Sequence, residues 1–269
     1  MRLISICPSN TELLHYLGLT SNLVGVDDFS DWPEEISTLP KLGPDLNIDM
    51  DKLEALEPDL VLASLSVPGM ERNVRELEKR SIPHVVLDPQ SLEDIANDLL
   101  IVGEQTHSLS KANKVASSMR ETIDTYRQFA AACDGRPSLY WEWWPKPIFT
   151  PGKVNWLTEI SDLAGAYNIF SDKNVASYQT EWPEVVEKNP DEICMIWVGV
   201  KESKMNPKHV MKREGAYTMF AVQNSKIHVL EESLYCRPSP RLIMGLQKLG
   251  SLLHPTIYPQ YTGDDPLLK

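Results

Sequence analysis

Nothing in this 269-residue chain spaces a nucleophile against a base, and there is no GxSxG elbow, P-loop or HExxH helix. The four cysteines, Cys7, Cys133, Cys194 and Cys236, form no CxxC pair and have no histidine at metal-ligand spacing. Cys194, inside an apolar run, reads as a buried reduced thiol. The residues that could do chemistry are recognition groups. Tyr140-Trp141-Glu142-Trp143-Trp144 packs four aromatics into five positions. In one extended strand, Tyr140, Glu142 and Trp144 would face one way and Trp141 and Trp143 the other. Two aromatic faces exceed what a simple core needs. Rigid aromatics bury the flat apolar faces of a bulky ligand at small entropic cost. Glu142 among them is a candidate ligand acceptor or, with its pKa raised by burial, the one candidate acid–base group.

Three further places suit polar recognition. Pro8, Ser9 and Asn10 read as a loop between a strand and a helix starting at Thr11, where backbone N–H groups could meet a carboxamide or carboxylate. Capping of that helix by Asn10 or Thr11 is the alternative, with Glu12 in its first turn. Arg237, ahead of Pro238 and Pro240, is placed to contact a phosphate or an amide, against the alternative of a plain surface arginine. Arg241 reads as the start of the last helix. His84 and His228 fall on matching strands of two repeats, hence on different sheets, and read as structural rather than as a metal pair. His15 reads the same way, and no metal site is predicted.

These groups need a scaffold, and the scaffold is written twice. One pattern is strand, polar loop, helix and a small-residue stop: Leu3–Cys7 to Leu17-Gly18, then Pro147–Thr150, a helix near Trp156–Leu163 and Ala164-Gly165. The second is a helix running through Pro-Asp into an apolar strand: Met50–Glu57 into Leu60–Ala63, and Pro183–Asn189 into Ile193–Val198. Proline pushes the preceding residue out of the helical region. The continuous apolar runs after it suit strands buried on both faces. The third is a β-branched strand, a polar loop and an amphipathic helix: His84–Leu87 with Leu92–Val102, and Lys226–Leu230 with Arg241–Leu253. Alternating strands and helices predict an α/β fold with two similar parallel-sheet lobes. Residues 108–132 lack breakers and predict one stiff helix of about 35 Å, with an ordinary long surface helix in a single sheet domain as the alternative. The expected division is 1–107, a connecting helix over 108–134, and 135–269, with a ligand cleft between the lobes.

The formal net charge of −12 argues against nucleic acid and anionic membrane surfaces as partners. No run approaches the 18 or so apolar residues that cross a membrane. Met1-Arg2 leads straight into a strand, without a signal peptide or a lipid-anchor cysteine. The expectation from the sequence as given is a cytoplasmic protein, extracytoplasmic if a leader has been removed.

Ile4-Ser5-Ile6-Cys7-Pro8-Ser9-Asn10-Thr11-Glu12-Leu13 resembles the opening of the binding proteins that serve vitamin B12, haem and siderophore ABC importers. Leu53–Leu62 is similar to their next signature. Val24-Gly25-Val26, Leu163-Ala164-Gly165 with Asn168-Ile169-Phe170, and Asn189-Pro190-Asp191 continue the resemblance in order over roughly residues 2–254. Tyr140–Trp144 and Arg237–Arg241 look most like the cobalamin-binding branch. The resemblance implies two α/β lobes joined by a rigid helix and non-catalytic binding of cobalamin or a related corrinoid. Haem or a ferric siderophore is the second ligand reading, and a cytosolic metal-cofactor chaperone or enzyme is the third. It also implies ligand contacts from Phe149 with Thr150, from Phe29 and Trp32 in the corresponding first-lobe loop, and from Tyr178 and Trp182 before the second Pro-Asp helix. A tryptophan of the family's first lobe has no counterpart; Asp45-Leu46 stands there. An ABC permease is the implied protein partner, docked through Asp51 on the first lobe. The second docking position falls on Pro183, which leaves its neighbour Glu184 as the candidate.

Overall fold

Four short parallel strands, β1 (Leu3–Ser5), β2 (Leu23–Val26), β3 (Leu60–Ser64) and β4 (His84–Leu87), pair in the order β2-β1-β3-β4 in the computed structural model, which describes residues 1–268. All five residues of β3 are buried, as its uninterrupted apolar run requires. The helix α1 (Pro8–Tyr16) follows β1, and α2 (Met50–Ala55) delivers the chain to β3. Asp49 caps α2 by accepting the Lys52 N–H. Pro58 prevents its continuation. Ile4, Ile6, Leu53, Val61, Ala63 and Leu77 form the core of this sheet. Helix α3 (Glu71–Lys79) precedes β4, α4 (Leu92–Gln105) follows it with Ser91 as its cap, and α5 spans Leu109–Ala131.

The chain divides into two compact units, and the division falls inside α5. One holds Met1–Arg120 with Pro238–Pro240 and residues 266–268; the other holds Glu121–Arg237 and Arg241–Asp265. Lys269, the last residue of the expected second lobe, lies outside the described residues. Unit two has its own parallel sheet of β5 (Ser138–Glu142), β8 (Tyr167–Asn168), β10 (Glu192–Met195) and β11 (Ile227–Val229), ordered β11-β10-β5-β8. Its first strand is interior, its second lies to one side, and its third and fourth follow on the other. That is the order of the first sheet, so the expected repeat of a parallel-sheet α/β architecture is present.

One repeat assignment is corrected. The counterpart of β1 is Ser138–Glu142, not Pro147–Thr150. Residues 144–151 instead form a hairpin, β6 (Trp144–Pro145) and β7 (Ile148–Pro151), which joins β9 (Ser177–Thr180) in a separate three-stranded antiparallel sheet. Pro145 and Pro147 explain it: neither has an N–H to give the ladder of an interior strand. The helices α6 (Trp156–Leu163) and α7 (Trp182–Lys188) complete the region. Asn189, at φ 44°, ends α7 in the left-handed conformation ahead of Pro190-Asp191.

Buried carboxyls stand against the fold, Asp98 foremost among them. Asp98 on α4 is 8% exposed. Burial, aided by the charges of Asp94 and Asp88, pushes its carboxyl up to about 7. The folded chain therefore holds this proton more tightly than the unfolded one, and stability falls as pH rises from about 4 to about 7. Asp98→Asn is expected to gain about 2 kcal/mol at pH 8 and little at pH 4. Urea unfolding at both pH values checks this.

Candidate ligand site

The carboxyl ends of the first unit's strands carry a buried polar network. Cys7 is the extended N-cap of α1, and the helix begins at Pro8 rather than Thr11. Proline suits that first position because its fixed φ matches the helix and its missing N–H has no helical partner there. Pro8, Ser9 and Asn10 thus form the first turn, not a loop. The Asn10 and Thr11 N–H groups both reach Cys7 O, at 3.1 and 3.2 Å. Asn10 is no cap: its amide donates to Ala63 O at 2.9 Å and ties α1 to the end of β3. Thr11 Oγ1 lies 2.8 Å from Ser5 Oγ and 2.7 Å from Ser30 Oγ. Glu12 is fully buried rather than in the first turn, and accepts from Ser239 Oγ. Burial raises the Cys7 thiol to about 11, which keeps it a neutral thiol.

Asp27 follows β2 and shapes the loop bearing Phe29 and Trp32. Its carboxylate accepts the N–H groups of Phe29 at 2.8 Å and Ser30 at 3.0 Å, and the Ser30 hydroxyl. Burial lifts its carboxyl to about 6 against those hydrogen bonds. Phe29 stays 50% exposed at the tip. Trp32 packs edge-on to His15 with ring centres 4.4 Å apart.

In the second unit, Glu142 ends β5 and has no exposed surface. Arg213 grips it with both terminal nitrogens, Nη1 to Oε2 and Nη2 to Oε1, the latter at 2.9 Å. Trp197 Nε1 donates to Oε1 at 2.9 Å and Tyr140 O–H to Oε2 at 3.0 Å. Both oxygens are committed, so Glu142 is a structural acceptor and not the ligand acceptor or acid–base group expected of it. The five-residue aromatic strand is corrected too. Tyr140 and Trp141 are core side chains with no exposure, and Trp141 Nε1 donates to Ser161 Oγ. The strand stops at Glu142, and the chain turns at Trp143.

Past that turn the predicted aromatics divide between the two faces of the antiparallel sheet, Trp144 and Phe149 on one and Tyr178 on the other. Trp143 is half-buried and packs 6.1 Å from Trp156. Trp144, 41% exposed, lies across the hairpin from Phe149. Thr150 faces Tyr178 across β7–β9. Tyr178 packs on Phe170 and points its hydroxyl at Glu184 Oε2, 3.2 Å away. Trp182, the first residue of α7, donates to Glu214 O at 2.7 Å and lies under the Arg213 guanidinium, 4.7 Å from its ring centre. Arg237 is ion-paired to Glu232 at 3.1 Å. Trp197 and Arg213 are the residues that sequence reasoning missed. Trp197 falls inside the apolar run Ile193–Val198 read as a strand, but β10 ends at Met195 and Trp197 lies two residues beyond it; Arg213 sits in a charged loop with no signal at all.

Of the two docking candidates, Asp51 is 87% exposed at its side chain and 2.6 Å from Arg80, which also holds Glu54. It borders a concavity of about 200 Å³ between Ile48 and Arg80. Glu184 accepts from Thr180 at 2.6 Å and pairs with Lys173 at 3.5 Å. Burial alone would raise its carboxyl; the hydrogen bonds of Thr180 and Tyr178 and the charge of Lys173 outweigh this and hold it below the usual range. Among the described residues no three His, Cys, Asp or Glu cluster as metal ligands, and no helix is long and apolar enough to cross a membrane.

The sequence profile described as "Periplasmic binding protein" matches residues 3–234. The chain belongs to that family. The periplasmic binding protein architecture accounts for the repeated parallel sheets. A Bacillus subtilis (strain 168) relative, named an uncharacterized ABC transporter substrate-binding lipoprotein, YvrC, is 29% identical over 96% of this chain and 82% of its own. The vitamin B12-binding protein of Pectobacterium atrosepticum is 27% identical over 94% of this chain and 88% of its own. A periplasmic haem-binding protein from Pseudomonas aeruginosa superposes with a TM-score of 0.84 over 99% of this chain and 96% of its own. At 20% identity, that match speaks for the fold alone.

Proposed function

We propose that this binding protein holds cobalamin or a related corrinoid, without altering it chemically, as the substrate-binding component of an ABC importer. The observation that carries this reading is the run of aromatics just beyond β5: Trp143 at the turn, then Trp144 paired with Phe149 on one face of the small antiparallel sheet, with Tyr178 on its other face and Trp182 at the start of α7. Phe29 and Trp32 offer a smaller aromatic pair at the carboxyl end of β2. Ligands of open α/β sheets collect at such strand ends. Broad aromatic faces suit a large, flat macrocycle. The vitamin B12-binding relative supports the corrinoid.

Haem and ferric siderophores are the second reading. Haem iron asks for an axial His, Met, Cys or Tyr. Of such residues at the aromatic positions, Tyr178 already gives its hydroxyl to Glu184, and His15, packed on Trp32, is bonded through Nδ1 to Thr20. That favours the corrinoid, whose macrocycle arrives with its metal already ligated. The chaperone or enzyme reading loses its one candidate acid–base group, because Glu142 is spent on Arg213, Trp197 and Tyr140.

In an importer, exposed Asp51 would present its charge to a basic group of the permease once Arg80 yields it. Glu184 would contribute from the second unit. The chain would then work on the outer side of the membrane, contrary to the cytoplasmic expectation. Gel filtration after incubation with cyanocobalamin, haemin or a ferric hydroxamate tests the ligand. Cyanocobalamin absorbance is expected to co-elute with the protein. Haemin co-eluting in its place would move the assignment to the second reading.

A further inference from the structure

The buried carboxylate of Glu142, at the end of β5, joins its own strand to two segments of the second unit that the chain keeps far apart. Arg213 comes from the segment between β10 and β11, Trp197 from the residues just past β10, and Tyr140 from within β5. Through Arg213 the connection extends to Trp182 at the start of α7. The guanidinium lies over the indole at 4.7 Å, and the next residue, Glu214, accepts the indole N–H through its backbone carbonyl at 2.7 Å. Trp182 is therefore held on its face by Arg213 and on its edge by Glu214. The Arg213 side chain is itself 16% exposed, buried against a carboxylate that has no exposure.

Arginine is the residue type this arrangement requires. Its planar fork can bond both carboxylate oxygens while its face stacks on an aromatic ring. A lysine ammonium could keep the charge but not both geometries. We infer that Arg213 is a positioning residue of the ligand site, fixing the Trp182 ring for a flat ligand from the far side of that ring. The inference rests on the proposed role of Trp182 as a ligand contact. The site is then pre-formed on this unit: the indole is locked before any ligand arrives, which lowers the ordering cost of binding.

The test compares the wild type with Arg213→Lys, Arg213→Met and the double variant Glu142→Gln/Arg213→Met. Two measurements are made on each. One is cyanocobalamin affinity. The other, without ligand, is the near-UV circular dichroism of Trp182, taken as the difference from the matching Trp182→Phe protein. Arg213→Lys is expected to melt close to the wild type, to lose most of the Trp182 signal and to bind about tenfold more weakly. Arg213→Met is expected to melt much lower. The double variant, with the buried charge gone, is expected to regain melting temperature but neither the Trp182 signal nor the affinity. If Arg213→Lys keeps the Trp182 signal, or the double variant regains both, Arg213 serves only as a counter-charge and the inference is overturned. If the wild type binds no cyanocobalamin while Arg213→Lys still loses the Trp182 signal, the positioning stands and the ligand assignment fails.

Discussion

Glu142→Gln is expected to lower the melting temperature by roughly 6–12 °C, from a loss of about 3 kcal/mol at 2–4 °C per kcal/mol for a chain of this size. Glutamine matches the shape of the glutamate but leaves the Arg213 charge, 16% exposed at its side chain, without its buried partner. A buried ion pair can contribute little net stability while intact, because desolvating both groups offsets their attraction. Removing one member costs far more, since the survivor keeps its desolvation penalty. The four hydrogen bonds onto the Glu142 oxygens raise the stakes further. Differential scanning calorimetry of the single and double variants checks this. A change of only a degree or two on Glu142→Gln would mean that water or another group neutralises Arg213.

Trp144→Ala is expected to weaken cyanocobalamin binding by at least tenfold while leaving the melting temperature nearly unchanged. Trp144 is 41% exposed, and its indole donates only to Lys146 O within its own turn. The folded chain alone gives it little to stabilise. Truncated aromatic anchors at binding surfaces commonly cost 2 kcal/mol or more, a factor of about thirty in affinity. The contrast with Trp141 is informative, two tryptophans three residues apart. Trp141 has no exposure, packs on Tyr235 and donates to Ser161 Oγ. It belongs to the core, so its truncation would act through stability instead. Fluorescence titration of Trp144→Ala beside the wild type is the check. Equal affinities would remove the hairpin from the site.

Much of the scaffold was legible because it is written in local rules. Pro58-Asp59 and Pro190-Asp191 each stop a helix and open an apolar run, and both runs are interior parallel strands, β3 and β10. The strands His84–Leu87 and Ile227–Val229 also stand where their β-branched residues placed them. The hairpin at residues 144–151 was misread because its aromatics continue those of β5 without a break, and only the prolines mark the reversal. The start of α1 was missed by three residues because Pro8, a loop signal in most contexts, is also a preferred first helical residue. The candidate site reads from the sequence as an aromatic composition and not as a geometry. Nothing local in Lys212-Arg213-Glu214 says that this arginine reaches a carboxylate 71 residues away. Nor can sequence say whether Glu142 faces a ligand or a guanidinium. Those are long-range pairings, fixed only when the sheet is assembled.

Calorimetric titration of cyanocobalamin into the purified, folded protein tests the central claim most directly. One saturable site with a dissociation constant of about 1 µM or tighter is expected. No saturable binding of cyanocobalamin, haemin or a ferric hydroxamate, by protein whose circular dichroism shows an intact fold, would contradict the account.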